Sequence, residues 1–163
     1  MKYIGPMHYF LGLEVWQRNR EIFLNQGKYT VEILKRFKMM DCKPMSTSMN
    51  SNLKVLCDDS SEPFDPTMYR QVIGSLMYLV NTRPYICFAM NALSQYMVEP
   101  RCTYVATKHV LKYLRGTIGY GLRNVSNREV KLHRYTNSDS VGSVMDRKST
   151  AGCCFHMGSG MIS

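Results

Sequence analysis

The stretch "YVATKHVLKYLRGTIGYGLRN", Tyr104 to Asn124, contains the change of pattern that decides the fold. Up to Arg115 the basic residues Lys108, Lys112 and Arg115 fall at i, i+4 and i+7 with apolar residues between them, the period of one helix face. Gly116 follows, a residue suited to the left-handed conformation that ends helices. After it, "IGYGLRN", "EVKLHRYTN" and "GCCFHMG" are short β-type segments separated by polar turns. The pattern predicts a helix over roughly 104–115 and strands beyond it.

Upstream, "MHYFLGLEVW" and "EIFLNQ" are apolar, β-prone runs flanking a polar turn at Gln17 to Arg20, which predicts a hairpin. "GKYTVEILKRFKM" puts Thr30, Leu34 and Phe37 on one side, widened by Val31 and Ile33, with Lys28, Glu32, Lys35 and Arg36 toward water; this is an amphipathic helix. The following 25 residues scatter Pro, Ser, Asn and Asp without period and read as a polar connection. Asp65-Pro66 is a helix start, because the Asp side chain can accept free backbone N–H groups and Pro is tolerated at the first helical position. That helix turns Tyr69, Val72, Ile73, Leu76 and Val80 inward. After Arg83-Pro84 a third helix turns in Ile86, Ala89, Met90, Leu93 and Met97. The class is α+β: a β-hairpin, about four helices, then the first strands of a sheet. Its segments are 1–40, 41–64, 65–117 and 118–163. The 29 residues from Tyr135 to Ser163 are too few to complete a separate covered sheet, which predicts an unfinished sheet with an unpaired strand edge.

The chain has 163 residues with 21 Lys and Arg against 12 Asp and Glu, a formal charge of +9. Between Arg101 and Lys148 there are 10 basic and 3 acidic residues. Such a surplus attracts polyanions through their phosphates, and it is also what an ordinary solvated face looks like. The six cysteines form no C-x-x-C and no histidine pair has metal-ligand spacing, so buried thiols in a reducing compartment are expected rather than disulfides or a metal site. No signal peptide is visible and no apolar run approaches the roughly 18 residues of a membrane span. The expectation is an intracellular protein, in cytoplasm or nucleus, with no membrane partner. "MGSGM" lies at an expected hairpin turn, not between strand and helix, so it is neither a nucleophile elbow nor a phosphate loop. His109 is expected to be packed in or on the fourth helix rather than to bind a ligand.

The segments "YFLGLEV", "KYTVEILKRFKMMDCKPMSTSM", "YRQVIGSLMYLVNTRPYICFAMNALSQYM", "KHVLKYLRGTIGYGL" and "DRKSTAGCCFHMG" together resemble the Pol polyprotein of Ty/copia-type LTR retrotransposons. The resemblance covers nearly the whole chain in unbroken order. It implies the end of a reverse transcriptase, its connection helices and the start of an RNase H domain. The parent family uses magnesium. Its polymerase motif, Tyr-x-Asp-Asp, does not occur in this chain, and Asp58-Asp59, the sole Asp pair, lies in the polar connection. Two-metal chemistry needs carboxylates to hold the ions, so primer extension is not expected.

The same resemblance implies an RNase H pattern, Gly-Tyr-Thr/Ser-Asp-x-Asp-Trp-Ala-Gly, at "RYTNSDSVG". Asn137 stands at the first, metal-binding acid and Asp139 at the second. An amide offers an oxygen without the charge that grips a hard cation, so these are degenerate positions, no catalytic residue is assigned, and no cofactor is expected. In the family's Thr-Arg-Pro-Asp the acid is here Tyr85, which removes an expected helix cap. The reading is a non-catalytic Pol fragment. Residual non-specific nucleic-acid binding would fall on Lys108, Lys112, Arg115, Arg123, Arg128 and Lys131. Some copia-like sequences bear the label of secreted RxLR effector, which implies an alternative function by protein binding; this chain has no Arg-x-Leu-Arg.

Overall fold

Leu11 and Gly12 both have positive φ, 46° and 77°, the twist that suits a two-residue hairpin turn. They join strand β1 (Tyr9–Phe10) to β2 (Leu13–Arg18), and Asn19-Arg20 joins β2 to β3 (Glu21–Asn25), all antiparallel. The expected hairpin is present, with a turn of two residues where the sequence suggested the four from Gln17 to Arg20. Leu11 is 72% exposed in a backbone conformation that favours glycine. The Tyr78 hydroxyl donates to its carbonyl oxygen and holds it there. This structure is a computed structural model that describes residues 5–49, 65–97, 100, 103–126, 131–139, 150–157 and 160–161.

Helix α1 (Gly27–Arg36) starts directly after β3. Two of its free donors are met from the sheet: the Gln26 N–H donates to Asn25 Oδ1 and the Lys28 N–H to Glu14 Oε1. It buries Thr30, Ile33 and Leu34 and leaves Glu32, Lys35 and Arg36 exposed. Helix α2 (Pro66–Leu79) begins as the sequence indicated, with Asp65 accepting from the Thr67 N–H at 2.9 Å and Pro66 at the first position. It buries Tyr69, Val72, Ile73, Leu76 and Leu79; Val80, placed inward by the period, is the half-buried residue just past its end. A 3-10 turn (Pro84–Ile86) leads into α3 (Cys87–Ser94), and neither has a side-chain cap. Where a capping acid was expected, Tyr85 makes edge-on contacts with Tyr113 and Tyr120 at 5.9 and 6.2 Å between ring centroids. Each such pair is worth roughly 0.5–1.5 kcal/mol, which offsets the missing cap.

Helix α4 (Thr103–Gly116) closes the helical layer. Ile33 and Leu34 of α1, the inward residues of α2 and α3, and Val110, Leu111 and Leu114 of α4 form one buried cluster. Each fully buried aliphatic side chain contributes roughly 1.5–3 kcal/mol. Gly116 stays within the helix and is not left-handed, contrary to expectation. A Cβ there would lie 3.1 Å from Pro44 Cβ, so the glycine lets residues 40–47 run close along α4.

Strand β4 (Gly121–Val125) pairs antiparallel with β3, Leu24 opposite Leu122, giving a four-stranded sheet in the order β1-β2-β3-β4. The sequence grouped this segment with the later strands. The pairing corrects that grouping, since the edge of β3 is filled by a segment almost a hundred residues away. The second sheet contains β5 (Leu132–Asp139), β6 (Thr150–Met157) and β7 (Gly160–Met161), in that order and antiparallel. Helices and antiparallel sheets together make the chain α+β. No helix among the described residues is long and apolar enough to cross a membrane.

Candidate nucleic-acid interface

The C-terminus of α1 sets up the site. Lys38 has φ of 55°. The Met39 N–H donates to the Leu34 carbonyl at 2.7 Å and the Lys38 N–H to that of Lys35 at 3.1 Å. This is the paired bonding of a Schellman turn, in which the left-handed residue is usually glycine. Leu34 and Met39 lie in the same buried cluster, as the motif's apolar contact requires. The turn places Arg36 and Lys38 beside the helix end.

There they line a cavity of about 200 Å³ between α1, α2 and α4. Phe37 and Met39 continue the wall from α1, Met68 and Val72 come from α2, and Tyr104, Thr107, Lys108 and Leu111 from α4. The Lys108 ammonium sits 4.2 Å from the centroid of the Tyr104 ring, a cation–π contact across one helical turn. Three cations line this cavity and none of its described lining residues is acidic. Such a lining is cationic and in part apolar. It can attract an anion and cover an apolar group.

The residues singled out from sequence fall in several environments. Lys108 is in the cavity wall. Lys112 is half-buried, and its carbonyl accepts from the Met45 N–H at 3.3 Å. Arg115 is spent on the fold, its Nε donating to the Met40 carbonyl at 2.6 Å. His109 is buried, with Nε2 2.9 Å from the Thr47 carbonyl oxygen, to which it donates. The helix face expected to look toward phosphates is thus partly covered by residues 40–47. Arg123 is exposed but bonded to Glu21 Oε2, with Nε at 2.8 Å. Lys131 is exposed just before β5, and Arg128 lies outside the described residues. Asn137 and Asp139 are in β5, in register with Gly152 and Thr150. The fold brings Lys108 together with Arg36 and Lys38, which the sequence assigned to open solvent or passed over. The only sequence signal for them is the run "KRFK" at 35–38, three cations in four residues at a helix end.

A second polar cluster is structural. Arg83 is fully buried, and its partners are the Thr117 and Ile118 carbonyls and, more distantly, the Thr117 and Tyr85 hydroxyls. Burial lowers the pKa of the guanidinium, partly offset by the nearby Tyr85 oxygen. Burial also raises the Tyr85 and Tyr113 hydroxyls above their ordinary value.

Comparison with known proteins matches this chain end to end. The uncharacterized mitochondrial protein AtMg00810 of Arabidopsis thaliana is 39% identical over 164 residues, covering 100% of the chain and 68% of that protein. The retrovirus-related Pol polyprotein from transposon RE2 of the same plant is 38% identical over 158 residues, 96% of the chain but 11% of the polyprotein. The chain belongs to the copia-type retrotransposon Pol family. It spans about a tenth of the length of such transposon polyproteins. The chain is also similar to the secreted RxLR effector protein 161 of Plasmopara viticola, 39% identical over 97 residues, 58% of the chain and 68% of that protein. No family model and no solved structure matches the chain significantly.

Proposed function

We propose that this part of a copia-type Pol polyprotein holds nucleic acid without sequence preference and performs no phosphodiester chemistry. The observation that carries the reading is the convergence of Arg36, Lys38 and Lys108 on one cavity with no acid among its described lining residues. Residues 1–40 correspond to the end of a reverse-transcriptase hairpin and helix, 41–64 to a connection, and 65–117 to the connection helices. The second sheet, from β5, corresponds to the first strands of an RNase H-like sheet. An intracellular setting, in cytoplasm or nucleus, accompanies this reading.

The degenerate nuclease positions support the absence of chemistry. Asn137 and Asp139 supply one carboxylate between them, and their register partners Gly152 and Thr150 supply none. Magnesium prefers an octahedral shell of hard, anionic oxygens, so this donor set does not fit it, and no reaction step is assigned to a metal. The alternative, an effector acting by protein binding, is supported by the name of one relative and by no residue of this chain.

A filter-binding titration tests the binding half of the proposal. Three phosphate contacts give a log–log salt slope of about −2 to −3, and Lys108→Ala reduces it by about 1. Affinity that does not change between low and moderate salt removes the electrostatic account. For the chemical half, an RNA–DNA hybrid incubated with magnesium stays intact with this chain; cleavage by it refutes the proposal.

A further inference from the structure

We infer that the cavity between α1, α2 and α4 receives one unstacked nucleobase, so that the chain holds single-stranded nucleic acid in preference to duplex. This rests on the nucleic-acid reading above and specifies its ligand. A phosphate needs cations only, and an apolar wall around it would gain nothing. Here cations and an apolar floor occur together: Met39, Met68, Val72 and Leu111 lie among the lining residues, with the rings of Phe37 and Tyr104. At about 200 Å³ the space is that of a single ring system; an apolar cavity of roughly 150 Å³ accepts benzene.

The charges fit the same ligand. In a strand each base stands between two phosphates. Lys108 rests on the Tyr104 ring on α4, while Arg36 and Lys38 belong to the end of α1 and the turn after it, so the lining draws its cations from two separate elements. A base in duplex is stacked and paired and must first be extruded, at a cost in free energy that a single strand does not bear. Every base has a π-face and an apolar body, so such a pocket reads no sequence.

The test uses the whole chain and fluorescence anisotropy at low salt. Its probes are a labelled single-stranded oligonucleotide, an abasic strand of equal length, and the corresponding duplex. The intact strand is expected to bind about tenfold more tightly than the abasic one, the usual range for one stacked base, and the duplex less tightly than the intact strand. Tyr104→Ala closes most of the gap between the intact and abasic strands, with circular dichroism confirming retained helix. Lys108→Ala weakens both strands alike. Should Tyr104→Ala not fold, a 2-aminopurine placed mid-strand reports on the wild-type chain, its emission changing on insertion. Equal affinity for intact and abasic strands overturns the base pocket while leaving phosphate binding intact. Polyglutamate binding as tightly as the intact strand also overturns it, since the groove would then read charge alone. If no probe binds at low salt, the nucleic-acid reading falls as well.

Discussion

Arg83 fastens the end of α4 from within the protein: its Nη1 donates to the Thr117 carbonyl oxygen at 2.7 Å and its Nη2 to that of Ile118 at 2.7 Å. Carbonyls at a helix C-terminus have lost their intrahelical donors and carry the negative end of the helix dipole. A buried guanidinium donates to both and brings the opposite charge, without a carboxylate among its hydrogen-bond partners, and the Thr117 carbonyl accepts from the Tyr120 N–H as well, at 3.0 Å. The same contact fixes where the chain leaves α4 to form β4. Arg83→Met, similar in size but with no donor, is expected to lower stability by about 1–2 kcal/mol, because the Ile118 carbonyl loses its guanidinium donor and the Thr117 carbonyl keeps only the Tyr120 N–H, while the cost of burying the charge is relieved. Urea unfolding followed by circular dichroism measures this. An unchanged midpoint would mean that the carbonyls are satisfied elsewhere.

Lys38 places stability and binding in opposition. Its left-handed backbone costs roughly 1 kcal/mol that glycine would avoid. Its ammonium is one of three cations in the cavity. Lys38→Gly should therefore raise the unfolding midpoint, by up to about 1 kcal/mol less the extra unfolded-state freedom of glycine, and weaken oligonucleotide binding in the same sample. If both quantities fall together, the turn is not strained as its φ indicates.

The elements of this fold that sequence makes legible are those built by local chemistry. Asp65-Pro66 announces α2 because capping involves only neighbouring residues. The inward residues of α1, α2 and α3 follow their helical period except where the helix stops first: Phe37, Val80 and Met97 lie past the ends of α1, α2 and α3 and are half-buried. What is hidden depends on distant partners. Gly116 looks like a stop signal, yet its lack of a side chain matters for Pro44, 72 residues earlier. β4 looks like the first strand of the second sheet, and its partner is β3. The cavity draws on Lys38 and Lys108, which only the packing of α1 against α4 brings near one another.

Gly121 carries the long-range pairing. A Cβ there would lie 2.1 Å from the Leu24 carbonyl oxygen, a backbone atom that cannot move without shifting β3. Gly121→Ala is accordingly expected to cost about 2–4 kcal/mol, a value reserved for steric conflict inside packed structure. Amide exchange should show lost protection at Leu122 and Asn124, with α2 less affected. Retained protection there would show that β4 does not depend on this close approach.

Two tyrosines link stability to alkaline pH. Burial raises the pKa of Tyr69 and of Tyr85 above the ordinary 10.0. The folded chain then holds these protons where the unfolded chain releases them. Stability is fully present below pH ~10 and is lost as pH rises through the folded values. Tyr69 is fully buried, with its hydroxyl donating to the Leu93 carbonyl at 2.8 Å. Tyr69→Phe should cost about 1 kcal/mol near neutrality through that lost bond and flatten the decline above pH ~10. Urea midpoints on both sides of that pH settle the matter; an equally steep decline in the variant assigns it to other groups.

Arg123 and Glu21 separate a cation that is present from one that is available. Arg123 sits on β4, a strand away from Glu21 in register with Val125, and its guanidinium is bonded to the Glu21 carboxylate. A phosphate arriving there would have to displace an anion already in place. Arg123→Ala should therefore leave oligonucleotide affinity nearly unchanged, whereas Lys108→Ala lowers it and makes the salt slope shallower by about 1. Glu21→Gln keeps the side-chain length, removes the competing charge and should raise affinity at low salt. A fall in affinity with Arg123→Ala as large as that with Lys108→Ala would move the binding surface from the helical cavity to the sheet, because only a cation that reaches phosphate releases counterions when it binds.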